Sequence, residues 1–197
     1  MTKHRKKLKP RIHIFHNGAV AEQSYFEDFK VFLAKQDAWV NITNYHKRTQ
    51  GKAPWQVIDE ASKLDLRDEE DQIWCVFDVD DFLKNNPAKF EEGLKKAKDH
   101  NISVAWTNEC FELWLLLHFE QVSTTIPRKD YEKKLKPHFK KIRINYAKNF
   151  RDAFETSLPL QKEAVKRAKR LQNKPEINPS TSIFLLIEEL NKFLDER

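Results

Sequence analysis

Apolar positions along the first half of the chain follow two rhythms in turn, one of period two or less and one near 3.6. Arg11-Ile12-His13-Ile14-Phe15-His16 is rich in β-branched and aromatic residues and stops at Asn17-Gly18, which predicts a strand closed by a turn. Residues 21–35 place Ala21, Tyr25, Phe29 and Phe32 at near-helical spacing, with Phe26 and Leu33 widening the stripe. A second strand is expected at Ala38–Thr43, and a second helix from Pro54 to Leu66, with Trp55, Val57, Ile58, Ala61 and Leu64 apolar. Ile73-Trp74-Cys75-Val76-Phe77 is a continuous apolar run that ends abruptly in Asp78-Val79-Asp80-Asp81, the pattern of a buried central parallel strand whose end meets solvent. A helix over 87–99 and a strand at Ile102–Trp106 complete the alternation. Strand and helix taking turns four times predict a doubly wound α/β domain with a parallel sheet, in which functional residues gather at the C-terminal ends of the strands.

After Thr107 the pattern becomes helical only. Segments 109–118, about 129–140 and 158–172 carry the helical period, the last through Leu160, Ala164, Ala168 and Leu171. A final helix runs from Pro179 to about Leu194, with Asn178-Pro179-Ser180-Thr181 as its capping signal. The expected organisation is a basic N-terminal arm at 1–11, an α/β core at 12–120 and a helical basic lobe at 121–197 packed on that core.

Charge sharpens this division. Residues 1–11 hold 6 Lys and Arg and no acids, 12–127 hold 12 against 20, 128–174 hold 16 against 5, and 175–197 hold 2 against 5. An acidic front half followed by a basic back lobe suits a polyanion-binding protein with a metal-binding acidic site, although basic helices are most often solvated faces. Lys133, Lys134, Lys136, Lys140, Lys141 and Arg143 are the candidate phosphate contacts, and nucleic acid the expected partner. The longest apolar stretch, Leu113 to Phe119 interrupted by His118, falls well short of the roughly 18 residues that span a bilayer. The basic first residues are followed by too few apolar ones for a signal peptide. Cys75 and Cys110 both lie among apolar residues, which suits buried thiols in a reducing compartment and predicts a cytoplasmic protein. With 3 Gly in 197 residues there is no glycine-rich phosphate loop.

Three predicted strand ends carry polar groups: Asn17-Gly18 with Glu22, Asp78-Val79-Asp80-Asp81, and Asn108-Glu109-Cys110-Phe111-Glu112. Asp78 and Asp80 would face opposite sides of a continuing strand, but a bend there brings both to one hard cation such as Mg²⁺ or Mn²⁺, with Asp81 as a third carboxylate. The plainer reading is that an aspartate at a strand end starts a turn. Glu109 and Glu112 lie where a helix dipole favours acids, with Asn108 as cap, and Glu112 is also a candidate site acid. His118, beside Trp114 and Phe119, reads as a hydrogen-bonded packing residue, and His13 and His16 lack zinc spacing. No Ser or Cys stands in a nucleophile elbow.

Four stretches together resemble a known family: residues 14–26, beginning Ile14-Phe15-His16-Asn17-Gly18 and ending Glu22-Gln23-Ser24-Tyr25-Phe26; Val76-Phe77-Asp78-Val79-Asp80-Asp81-Phe82; 108–119, from Asn108 to Phe119; and Asn178-Pro179-Ser180-Thr181. In this order, over about 12 to 190, they are similar to RloB-type proteins, of the TOPRIM-like group found with restriction and abortive-infection loci. The resemblance implies a TOPRIM-like, Rossmann-like parallel-sheet core followed by helices. It also implies a Mg²⁺-dependent nuclease role in anti-phage defence beside an ATPase encoded in the same locus. The family pattern has a Glu-Gly pair after strand one and an Asp-x-Asp after strand three. Asp78 and Asp80 match the latter; at the former Asn17 replaces the glutamate, Gly18 is retained, and Glu22 fits the motif's second acid. Glu109 stands where the family usually has proline. In such a site the glutamate is taken to help proton transfer, a step whose loss alone lowers rates by roughly 10²–10⁴-fold, and an amide cannot take up the proton. Two functions therefore remain open at this point: a metal-dependent nuclease, with Asn17, Glu22, Asp78, Asp80 and Glu112 as its catalytic candidates, and a non-catalytic module binding nucleic acid or the ATPase.

Overall fold

An apolar run such as Ile73–Phe77 can be buried along its whole length only where both faces of its sheet are covered. The computed structural model has that arrangement. It describes residues 8–18, 20–66, 68–147 and 150–195, without the side chains of Asp80 and Asp195; of the basic arm expected at 1–11, residues 1–7 lie outside the described residues. β1 (Arg11–His16), α1 (Ala21–Lys35), β2 (Asn41–Tyr45), α2 (Pro54–Ala61), β3 (Gln72–Asp78), α3 (Asp80–Asn85), α4 (Pro87–Asp99) and β4 (Ile102–Asn108) come first. α5 (Glu112–Leu117), α6 (Tyr131–Lys141), α7 (Ala153–Ser157), α8 (Gln161–Lys169), the short strand β5 (Ser180–Thr181) and α9 (Ile183–Asp195) follow. The sheet order is β2-β1-β3-β4-β5, with the first four strands parallel and β5 antiparallel on the edge. The protein is thus α/β with a Rossmann-like core. Strand order reverses between β1 and β3, and the crevice at such a reversal is where open α/β sheets place their sites.

Side chains divide by sheet face. Phe15, Ile73, Cys75 and Phe77 pack with Val57, Ile58, Ala61, Phe90 and Ala97 of α2 and α4. Ile12, Ile14, Trp74 and Val76 pack on the other face with α1 and all the later helices, so the helical back half shares one core with the sheet. Rings hold α1 in place: Phe154 of α7 stacks on Phe29 at 4.7 Å, and Phe111 meets Tyr25 edge-on at 5.4 Å. At the opposite end of the sheet, the buried Asp71 carboxylate accepts from the Arg11 backbone N–H at 2.9 Å and pairs with its guanidinium, joining the entries of β1 and β3.

Several element boundaries differ from the expected ones for local reasons. Ala38 and Trp39 do not start β2, because the Ala38 N–H closes the end of α1 on the Leu33 carbonyl after Asp37 adopts φ 54°. α2 ends at Ala61 rather than Leu66, where Ser62 turns its hydroxyl back to the Asp59 carbonyl. Ser180-Thr181 form an edge strand instead of the first turn of the last helix. Thr181 donates its hydroxyl to the Trp106 carbonyl, and the Trp106 N–H donates to the Ser182 hydroxyl, each at 2.9 Å. That pairing covers the β4 edge.

α5 closes on His118, which is buried and donates Nδ1–H to the Trp114 carbonyl at 2.9 Å, the packing role expected of it. Arg167 of α8 donates to the Leu117 and His118 carbonyls at 2.8 and 2.7 Å, a cation at a helix C-terminus. Burial, with Arg167 nearby, pushes the His118 pKa down to about 4. The unfolded chain takes up this proton near pH 6.5, so stability falls as pH drops from there to about 4, by up to roughly 3 kcal/mol. His118→Phe is expected to flatten that part of the pH–stability curve in urea unfolding between pH 7.5 and 4.5. Parallel curves for the two proteins would show that the folded state protonates His118 freely.

Candidate functional site

The C-terminal ends of β1, β3 and β4 each deliver one acid to the same edge. Beyond β1 the chain turns at Asn17-Gly18 and enters α1, whose second residue is Glu22. The side chain of Glu22 packs on Gly18 so closely that a Cβ on that glycine would lie 1.8 Å from Glu22 Oε2 and 2.6 Å from its Cβ. Only glycine leaves room for this approach. Glu22 is buried, and its Oε1 has no hydrogen-bond partner among the described residues. Burial holds its carboxyl well above the usual carboxylate range, and the charges of Asp78 and Glu112 raise it further against a smaller opposing effect of Arg128. His16 stands behind it, Nδ1 3.9 Å from Oε1, itself pushed down to about 4 by burial and then by His46. His16 is therefore neutral near pH 7, and the approach is a contact rather than an ion pair.

Asp78 ends β3. Its Oδ1 accepts the Thr107 hydroxyl at 3.0 Å, and its Oδ2 pairs with the guanidinium of Arg128, which reaches in from the loop before α6. Glu112 opens α5 and lines a cleft of about 440 Å³ together with Arg128, Lys129, Glu132 and Tyr146. Cys110 is buried beside these acids, and its thiol is pushed far up, first by burial and then by Glu112 and Asp78, which excludes a thiolate nucleophile.

The other expected site residues are placed differently. The Asn17 side chain turns toward the loop before α2 and donates its amide to the Lys52 carbonyl at 3.0 Å. Its backbone is held at both ends, the N–H on Val76 and the carbonyl on Gly51. Asp81 is exposed on α3, and the Asp80 side chain lies outside the described residues. Among the described residues no three His, Cys, Asp or Glu side chains are grouped as a ready metal cage. The donors at the edge are nonetheless carboxylate oxygens, the kind a hard cation takes, and Asp78 already attracts a positive charge in Arg128. In donor chemistry the edge is compatible with a divalent cation.

Of the six basic candidates, Lys133 pairs with Asp130 at 2.9 Å, Lys134 with Glu120 at 3.6 Å and Lys136 with Glu132 at 2.7 Å. Lys140, Lys141 and Arg143 are exposed and have no acidic partner among the described residues. Lys136, Lys140 and Arg143 line a groove of about 730 Å³ with Pro137, Ile144 and Asn145. It lies one helical turn along α6 from the cleft beside Glu112. Arg128 and Thr107 are site residues that sequence reasoning missed. The arginine differs from its basic neighbours only in type, and its partner is 50 positions away.

A family model described as RloB-like protein matches residues 12–190. Comparison with curated proteins and with solved structures found no match.

The packing of Glu22 on Gly18 can be tested alone. Gly18→Ala is expected to destabilise the protein by about 1–3 kcal/mol, the range for an overpacked position, because Glu22 must leave its place. A thermal unfolding midpoint within error of the parent's would show that the carboxyl has somewhere else to go.

Proposed function

The chain belongs to the RloB-like protein family, and from that membership and the acid edge we propose that it is a metal-dependent, TOPRIM-type nuclease that hydrolyses phosphodiester bonds of DNA or RNA in bacterial anti-phage defence. The observation that carries this reading is that β1, β3 and β4 deliver Glu22, Asp78 and Glu112 to one sheet edge, where the charges of the latter two raise the proton affinity of the first. Such carboxyl groups cluster at reactive sites. Bound Mg²⁺ or Mn²⁺ supplies Lewis acidity and a more acidic water. Asp78, with Asp80 two positions on, would hold it. Thr107 fixes the Asp78 carboxylate through its hydroxyl. Glu22 is the group placed to hold or accept a proton, in the part that the family glutamate takes at position 17. Lys140, Lys141 and Arg143 would hold the nucleic-acid backbone, and an ATPase of the same locus is the protein partner in this reading.

One observation favours a second reading, a non-catalytic module that binds nucleic acid or the ATPase. The amide of Asn17 is engaged by the Lys52 carbonyl and brings no carboxylate to the edge. Purified protein decides between them. Asp78→Asn is expected to abolish Mn²⁺ uptake in calorimetry. Glu22→Gln is expected to lower Mn²⁺-dependent cleavage of single- or double-stranded DNA or RNA by about 10²–10⁴-fold, with uptake retained. A parent protein that takes up Mn²⁺ and nucleic acid but cuts no substrate, and still cuts none as Asn17→Glu, is the binding module.

The basic lobe carries its own test. Lys140→Glu, Lys141→Glu and Arg143→Glu together are expected to weaken nucleic-acid binding. They should also make its log–log salt slope shallower by about 0.9 for each duplex phosphate that the lobe no longer neutralises. Lys133→Glu with Lys136→Glu, whose charges Asp130 and Glu132 already match, is expected to change it less. Equal effects from both sets would mean that pairing on α6 does not select the groups that bind phosphate.

A further inference from the structure

Arg128 is bound to Asp78, yet 43% of its side chain is exposed, and it also lines the cleft that holds Glu112, Lys129 and Tyr146. The arginine end of this ion pair is open to solvent, where such pairs contribute little, while Asp78 is 17% exposed. Arg128 is also a cation that opposes, as the smallest of the effects there, the charge of Asp78 and Glu112 on Glu22. The cleft sets two cations, Arg128 and Lys129, beside the carboxylates of Glu112 and Glu132, with Tyr146 in its wall. The Tyr146 hydroxyl is buried with no hydrogen-bond partner among the described residues. Burial, with nearby acids second, keeps the Tyr146 phenol protonated.

A guanidinium and a divalent cation cannot both occupy the Asp78 carboxylate without strong repulsion. We propose that Arg128 is a phosphate-positioning residue stored on Asp78: it leaves that carboxylate when a divalent cation takes it, and turns into the cleft beside Lys129 to hold a phosphate of the nucleic-acid backbone. Planar, forked donors suit both positions, since guanidinium pairs bidentately with carboxylate and with phosphate alike. The arrangement couples the two ligands: phosphate is gripped by Arg128 only where the cation is present. The inference rests on the reading of Asp78 as a cation anchor in a nucleic-acid enzyme.

The test compares the parent with Arg128→Gln. Mn²⁺ is titrated by calorimetry without nucleic acid, and binding of a labelled single-stranded oligonucleotide is followed by anisotropy against salt, once in chelator and once in Mn²⁺. Arg128→Gln is expected to bind Mn²⁺ about fivefold more tightly, because an exposed competitor is gone. Its salt slope should equal the parent's in chelator and be shallower by about 0.7, one single-strand phosphate, in Mn²⁺. Arg128→Met, which keeps the apolar stem, is read in the same way should the glutamine variant not fold. A slope reduced equally in chelator and in Mn²⁺ would make Arg128 a permanent phosphate ligand and overturn the proposal. Unchanged or weaker Mn²⁺ binding would make it a structural ion pair and do the same. A parent that takes up no Mn²⁺ overturns the nuclease reading itself, a failure seen before any variant is compared.

Discussion

Three carboxyls brought to one sheet edge repel, and the surrounding structure is arranged around that repulsion. At an effective dielectric of about 20, two like charges some 4 Å apart oppose each other by about 4 kcal/mol, and desolvating either adds to the cost. For Glu22, burial, reinforced by Asp78 and Glu112, favours the protonated form. Asp78 receives a hydroxyl from Thr107 and a cation from Arg128 on its two oxygens. Glu112 lines an open cleft that Lys129 shares. One edge thus holds three acids in three different settings.

Such an arrangement needs its backbone fixed, since the strand ends set how near the three acids stand to one another. α1 is pressed onto the sheet by Tyr25, Phe26 and Phe29, and the rings of Phe111 and Phe154 close over them, so Glu22 cannot withdraw without opening an aromatic cluster. β4 is held from the other side. Asn108 donates to the Pro175 carbonyl at 2.8 Å, and Ser180–Ser182 tie the strand through Trp106. The back half of the chain therefore acts on the site mechanically as well as by charge, since α7 bears on one wall and the lead into α9 on another.

What was legible in the sequence follows from which signals are local. The apolar run at Ile73–Phe77 and the span Pro87–Asp99 could be read because period and end signals lie within them, and three of the strand-end acids followed from the topology those strands imply. The short helices α3 and α7 escaped because one turn of helix leaves little periodicity to read. Asn178-Pro179-Ser180-Thr181 carried a true capping signal, and Thr181 does accept the Ile183 N–H at 3.2 Å, but no local pattern could reveal that Trp106 recruits the same residues into the sheet. The turning of Asn17 toward Lys52 and the reach of Arg128 to Asp78 depend on tertiary placement of side chains 35 and 50 positions apart. Residue type indicated the chemistry there, but not its direction.

The same limit governs the basic lobe, where a charge count misleads unless pairing is known. Residues 128–174 carry 16 cations against 5 acids, yet three of those acids meet Lys133, Lys136 and Lys166 at hydrogen-bond distance. At the C-terminal end of α6, Lys140, Lys141 and Arg143 are exposed and have no acidic partner among the described residues. From there the flank of α6 leads past Lys136 and Glu132 to the cleft where Lys129 and Arg128 stand beside Glu112, so a basic groove gives way to one of mixed sign. A phosphate backbone drawn to the basic end meets, at the other, carboxyls that repel it. In the proposed scheme a divalent cation at Asp78, by releasing Arg128 to the cleft, makes that last step attractive. On that proposal, control over where a phosphate settles rests with whatever occupies one aspartate.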